Sequence, residues 1–124
     1  SAKRIREIAE SFGRFEFIPE RLMDAFSAVC GCSPAYVFMF IEAMADAAVA
    51  QGLPRSQAYS FAAQAVMGSA KMVLETGRHP AELKDMVCSP AGSTIEGVRI
   101  LEDKGMRSAV FEALTGAAEK GKRL

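Results

Sequence analysis

The sequence carries no excess of either charge: 15 Lys and Arg balance 15 Asp and Glu over 124 residues. A chain without a net field has no electrostatic means of gathering nucleic acid or an anionic membrane surface. Basic residues cluster only at Lys120, Lys122 and Arg123, where they suit the last turn of a helix. Histidine is nearly missing, with His79 the only one. The three cysteines, Cys30, Cys32 and Cys88, match no structural zinc spacing, so no metal site is expected. An odd count with a C-x-C pair is also a poor disulfide framework, and reduced thiols in a cytoplasm are the simpler reading. A signal peptide, internal repeats, low-complexity segments and a G-x-G-x-x-G turn are lacking too. The longest apolar run, Ala35 to Ala50, is short and carries Glu42 and Asp46, so it is predicted not to span a bilayer.

What is present is apolar and helical. Half the residues are hydrophobic, enough for the core of one ordinary domain. Lys3 to Phe12 reads as a helix, with Ile5, Ile8 and Phe12 at helical spacing. Arg14 to Ile18 alternates like a strand, and a lone strand belongs to a sheet whose remainder lies elsewhere. From Pro19 onward every segment reads as helix. Gly31 is expected to close the first, and Ser33 to cap the next with Pro34 at its first position. That helix runs to about Gln51 and stops at Gly52. Another runs from Pro54 to Thr76 and stops at Gly77. Further helices are predicted over Pro80 to Val87, Ile95 to Lys104 and Met106 to about Arg123.

The helix from Pro34 to Gln51 is apolar all round, with Tyr36, Phe38, Met39, Phe40, Ile41 and Met44 pointing in different directions. Such a helix must be covered all round. The next helix is rich in Ala, Met and Phe. A domain of this size has few internal positions for two such helices, so a two-fold dimer interface is expected. Other polar candidates have plain readings. Glu42 and Asp46 form a narrow polar stripe, His79 is an exposed helix-start residue, and Met67, Met72 and Met86 are filler.

The loop Cys88 to Thr94 holds hydroxyls, a proline, a glycine and a helix start. Ser93 and Glu96 fit a capping box. The same geometry offers free N–H groups to a small anion such as a carboxylate, with Gly92 permitting close approach.

The stretch from His79 to Glu102, HPAELKDMVCSPAGSTIEGVRILE, resembles the signature of pyrroline-5-carboxylate reductases, close to HPxxLKDxVxSPGGTTIxGLxxLE. Ser33 to Ala43, SPAYVFMFIEA, is similar to the family's GPAYVFxFIEA helix. Gln51 to Arg55, Ala62 to Met72 and Leu74 to Gly77 match in order as well. The resemblance covers Pro19 to Leu124.

That resemblance implies an all-α helical bundle dimerisation domain of the 6-phosphogluconate dehydrogenase C-terminal-like kind over residues 19–124. Residues 1–18 would then be the last helix and strand of a Rossmann domain missing from this chain. The implied activity is reduction of 1-pyrroline-5-carboxylate to proline, with NADPH or NADH held mainly by the absent domain; the fragment alone is expected to be inactive. Substrate recognition falls on Ser89, Gly92, Ser93 and Thr94, with N–H groups on the carboxylate and the Thr94 hydroxyl as the catalytic group near the ring nitrogen. Lys84, Asp85, Met86 and Val87 are expected on the nicotinamide side. The implied assembly is a homodimer or an oligomer of dimers, in the cytoplasm, with neither nucleic acid nor membrane as partner. The alternative is a helical homodimerisation module without chemistry. Two departures stand out. Cys30-Gly31-Cys32-Ser33 replaces Ser-Gly-Ser-Gly, and Ala91 replaces a glycine. A left-handed backbone at residue 91 costs Ala on the order of 1–2 kcal/mol.

Overall fold

The structure, a computed structural model, describes residues 18–123. The expected helix over Lys3 to Phe12 lies outside the described residues, and so does nearly all of the expected strand over Arg14 to Ile18. Every regular element among the described residues is helical. Six α-helices follow in order: α1 (Met23–Ser27), α2 (Ser33–Ala50), α3 (Arg55–Thr76), α4 (Pro80–Met86), α5 (Ser93–Asp103) and α6 (Met106–Lys122). A 3-10 turn at Glu20–Leu22 precedes α1, and a π turn at Ala28–Cys32 joins α1 to α2.

The chain divides into two compact units. One takes the residues up to Val37 together with those from Arg107 onward; the other is Phe38–Met106. In the first, Ala28 is buried, and Gly121 of α6 lies against the Asp24 carboxylate of α1. In the second, Ala45, Ala58 and Ala62 are buried. These four alanines are the whole buried apolar set among the described residues, and no large side chain is fully buried. For a sequence that is half hydrophobic, this is a core in name only.

The predicted break at Gly31 is absent. Ser33 has helical angles (φ −64°, ψ −24°) and does not cap α2; its hydroxyl donates back to the Val29 carbonyl. The reason is Pro34. A proline inside a helix has no N–H to give and collides with the carbonyl four residues back. Widening the preceding turn to π spacing moves that carbonyl aside without ending the helix. Glu20–Ala50 is consequently one 31-residue helical stretch, with a window of mean hydropathy 1.5. By length and composition alone it is long and apolar enough to cross a bilayer, unlike the shorter run Ala35 to Ala50 taken by itself.

The stops elsewhere fall where glycine was read. Gly52 (φ 103°) lets Leu53 N–H reach back to the Ala48 carbonyl, which closes α2. Gly77 (φ 68°) closes α3, its N–H on the Val73 carbonyl at 3.1 Å. Pro54 precedes α3 in extended conformation. Asp46 of α2 binds Arg55 at the start of α3, and the Arg55 guanidinium lies 5.6 Å from the centre of the Tyr59 ring. The hydrogen bond that Arg55 donates to the Asp46 carboxylate is the foremost cause that pushes Arg55 further up and holds it charged. The stripe formed by Glu42 and Asp46 thus contains one half of an exposed helix-to-helix tie, of modest energetic weight.

Candidate functional site

The segment from α4 to the start of α5 lies wholly within the unit Phe38–Met106. His79 opens α4 as its N-cap: the Nδ1 atom accepts from the Ala81 N–H at 3.0 Å, and Pro80 takes the first helical position. His79 therefore caps a helix and is exposed, as its sequence context implied. Lys84 and Asp85 pair with each other at 2.9 Å, while Met86 and Val87 stand exposed. A cavity of about 610 Å³ is lined by Gly68, Met72 and Val73 of α3 and by Leu83, Met86 and Val87 at α4. Arg78 also lines it, its guanidinium donating to the Met86 sulfur at 3.3 Å and lying 3.8 Å from Glu82. The methionines expected as interior filler are exposed instead; Met67, Met72 and Met86 are all more than half exposed.

After α4 the chain turns sharply. The Gly92 N–H donates to the Ser89 carbonyl at 3.1 Å, closing a four-residue turn over Ser89, Pro90, Ala91 and Gly92. Pro90 at the second position and a positive φ at the third make this a type II turn. The third residue is Ala91, at φ 59°, the only non-glycine with positive φ among the described residues. The left-handed conformation that the glycine-to-alanine departure put in question is adopted, at a cost of about 1–2 kcal/mol. A Cβ placed on Gly92 would lie 2.8 Å from the Ser89 Oγ and 3.2 Å from the Ser89 carbonyl oxygen. Glycine is required at residue 92 for this close approach, not for its φ of −83°.

The helix start differs from the capping box read in the sequence. Gly92 is the N-cap of α5, Ser93 is already helical, and no side chain caps the end. Glu96 does not reach back. Arg99 holds it in a forked pair, with Nε 3.1 Å and 3.2 Å from the two carboxylate oxygens and an Nη atom at 2.7 Å. A charged bidentate partner one turn away outcompetes a backbone N–H. The Arg99 hydrogen bond holds the Glu96 carboxyl below the ordinary carboxylate range, and the same contact pushes Arg99 up.

The outcome for the predicted anion donors is mixed. The Gly92 N–H is committed to the turn. The N–H groups of Ser93, Thr94 and Ile95 have no acceptor among the described residues, and neither do the hydroxyls of Ser89 and Thr94. Three aligned N–H groups at a helix start, two unengaged hydroxyls and a Glu96 paired with Arg99 are donors of the kind that suit a small anion. Cys88, free and half-buried, precedes the turn. No group of three or more potential metal ligands occurs among the described residues. Ile95 was not among the expected donors; its signal was its position, third in a helix beginning one residue past Gly92.

Known proteins resemble the chain over nearly all of its length. A pyrroline-5-carboxylate reductase from Escherichia coli (strain K12) is 64% identical over 120 residues, covering 97% of this chain and 45% of its own. One from Methanosarcina acetivorans is 51% identical over 122 residues, again 45% of its length. Among solved structures, the 1-pyrroline-5-carboxylate reductase of Streptococcus pyogenes superposes with a TM-score of 0.88 at 38% identity, over 98% of this chain and 47% of that one. The Plasmodium falciparum pyrroline carboxylate reductase, solved with NADP bound, gives 0.87 at 37% identity. The chain spans about half the length of the relatives it matches. Residues 20–124 fit the family described as pyrroline-5-carboxylate reductase dimerisation, and the chain belongs to that family.

Proposed function

We propose that this chain is the dimerising and substrate-binding part of a reductase that converts 1-pyrroline-5-carboxylate to proline with NAD(P)H. The observation that carries the reading is the unengaged start of α5 beside the Ser89–Gly92 turn, within a family whose relatives are named for this reaction. The N–H groups of Ser93, Thr94 and Ile95 hold the substrate carboxylate, assisted by the Ser89 hydroxyl. Gly92 contributes by shape, since its own N–H is taken. The Thr94 hydroxyl is the catalytic group. It lies against the ring nitrogen and supports the proton that this atom carries once the neighbouring carbon has accepted hydride, which is positioning and polarisation without a covalent intermediate. Pairing of Glu96 with Arg99 keeps a bare carboxylate from repelling the substrate's own.

The dinucleotide, when bound, supplies the hydride. The residues at the end of α4 suit its nicotinamide end. Met86 and Val87 are exposed and apolar, as a flat ring requires. Lys84 is paired with Asp85 and Arg78 with Glu82, which leaves neither as an unpaired partner for phosphate. Phosphate binding is assigned to a domain that this chain for the most part does not span and of which residues 1–18 are the end; the family match, beginning at residue 20, supports that boundary.

The second part of the reading is a homodimer, or an oligomer of dimers, in the cytoplasm. Phe38, Met39 and Phe61 are 68%, 66% and 59% exposed in the single chain, and a second copy covers them. Burial there also accounts for the apolar stretch Glu20–Ala50 without a membrane. Free Cys30, Cys32 and Cys88 agree with a reducing compartment. A purely dimerising module accounts for the helices but gives the Ser89–Thr94 segment nothing to do. The test is NADPH oxidation by the full-length protein in the presence of the cyclic imine. Thr94→Ala is expected to lower turnover about 100-fold, with the substrate KM changed far less. Normal turnover in that variant removes Thr94 from the chemistry.

A further inference from the structure

We propose that Ala91 is a positioning residue: its left-handed backbone sets how much of the time the Ser89–Gly92 turn presents the α5 amides, and thereby sets substrate affinity without touching substrate. This rests on the carboxylate-binding reading above and adds a determinant of its strength.

Three observations converge. Ala91 has φ 59°, a conformation that an L side chain resists. Strained residues usually persist because packed surroundings over-determine them. Here the surroundings are thin: Ala91 and its neighbours Ser89 and Pro90 are exposed, and the turn is closed by the single bond from Gly92 N–H to the Ser89 carbonyl. A relaxed alternative is close at hand. Type I and type II turns share the φ of about −60° that Pro90 supplies, and both can form the closing bond. They differ by rotation of the central peptide, which takes the third residue from a φ of about +80° to about −90°. Alanine favours the second state.

The third observation ties the turn to the site. It ends on the N-cap of α5, and Gly92 sits so close to Ser89 that a Cβ would meet the Ser89 Oγ at 2.8 Å. Rotation of the peptide between Pro90 and Ala91 re-aims the Pro90 carbonyl, and so changes what stands ahead of the N–H groups of Ser93 and Thr94. Only one turn form binds the carboxylate well, and apparent affinity falls by the fraction of chains outside it.

The experiment is steady-state kinetics of the full-length protein at saturating dinucleotide with the cyclic imine varied. Ala91→Gly is expected to lower KM about three- to tenfold and leave kcat within about twofold. Ala91→Asn tests the physical cause. Asparagine is larger than alanine but tolerates left-handed backbone better, so its KM falls too, by less. Ala91→Val, β-branched, raises KM. The proposal requires the order Gly, Asn, Ala, Val in rising KM. A KM for Ala91→Asn above that of the parent makes residue 91 a steric neighbour of the substrate and overturns it. An unchanged KM for Ala91→Gly overturns it equally, since strain is then relieved with no effect on the site. Absence of imine-dependent turnover in the parent protein is a different failure: it removes the reductase reading, and the positioning role with it.

Discussion

Along α2 and α3 the apolar side chains far exceed what one chain can cover, whereas between Ser89 and Gly92 each constraint is met within four residues. Phe38 and Met39 stand exposed in the single chain; Ala91 and Gly92 have their surroundings in the closing bond and the Ser89 side chain. Sequence determines both regions by different routes. The helices are specified by composition, and their side chains acquire meaning only when a second surface is supplied. The turn is specified by the order of Pro90, Ala91 and Gly92 and is complete in one copy. A change in the helices should thus be felt through assembly, and a change in the turn through substrate.

The largest effect should come from attacking the first region. Replacing Phe38 and Phe61 together by Asp removes two exposed aromatic surfaces per chain and puts charges where the dimer reading needs apolar contact. Burial of a Phe contributes about 1.5–3 kcal/mol, and two-fold symmetry counts each change twice. Sedimentation should show loss of the dimer at micromolar protein, and the thermal midpoint should fall by 10 °C or more, on the order expected for several kcal/mol. In the parent the midpoint should rise with protein concentration, because association and folding are linked. A double variant that remains dimeric with its midpoint intact would place the interface elsewhere.

The turn should answer in the opposite manner. Gly92→Ala puts a methyl 2.8 Å from the Ser89 Oγ and 3.2 Å from its carbonyl oxygen. The hydroxyl can rotate away, but the carbonyl is backbone and must shift by a few tenths of an ångström. Substrate KM in the full-length protein is expected to rise about tenfold, roughly 1.4 kcal/mol, while the dimer and its thermal midpoint hardly move. A large fall in midpoint with an unchanged KM would mean that the turn serves packing, and the contrast between the regions would collapse.

Legibility in the sequence followed the same division. Stops at Gly52 and Gly77 were readable because a left-handed glycine after a helical pattern has a local cause, and the all-round apolar character of α2 announced a partner without saying where it sits. The continuous path from α1 into α2 was missed because Ser33-Pro34 after Gly31 is also how a new helix begins. What selects the π turn is the helical pattern on both sides, which no single residue displays. At the site, the residues of the α5 start were legible but their roles were not. Ser93 fits a cap by type, yet the turn delivers Gly92 to that place and moves Ser93 one position inward. Glu96 has two possible partners, and the presence of Arg99 three residues on was the overlooked signal. The left-handed backbone of Ala91 was open in the sequence, because Pro90 suits type I and type II turns alike and alanine favours the former.

The smallest expected effect sharpens that last point. The Glu96 carboxyl is held below the ordinary carboxylate range by Arg99, so folding favours its charged form. The sign follows from linkage: a depressed carboxylate contributes stability that is full above its unfolded pKa and is lost as pH falls through the folded one. Both side chains are more than half exposed, so solvent screens the pair and the contribution is slight. Glu96→Gln should therefore leave the thermal midpoint nearly unchanged at neutral pH and flatten a little of its decline in acid. The pair has a second consequence if α5 receives a carboxylate. Arg99→Gln leaves Glu96 charged and unpaired in the first turn, where it repels the ligand; KM should rise about twofold to fivefold, and added salt should reduce that rise by screening. Glu96→Gln combined with Arg99→Gln should restore the parent KM. A double variant as poor as Arg99→Gln alone would show Arg99 acting on the substrate directly, with Glu96 a bystander.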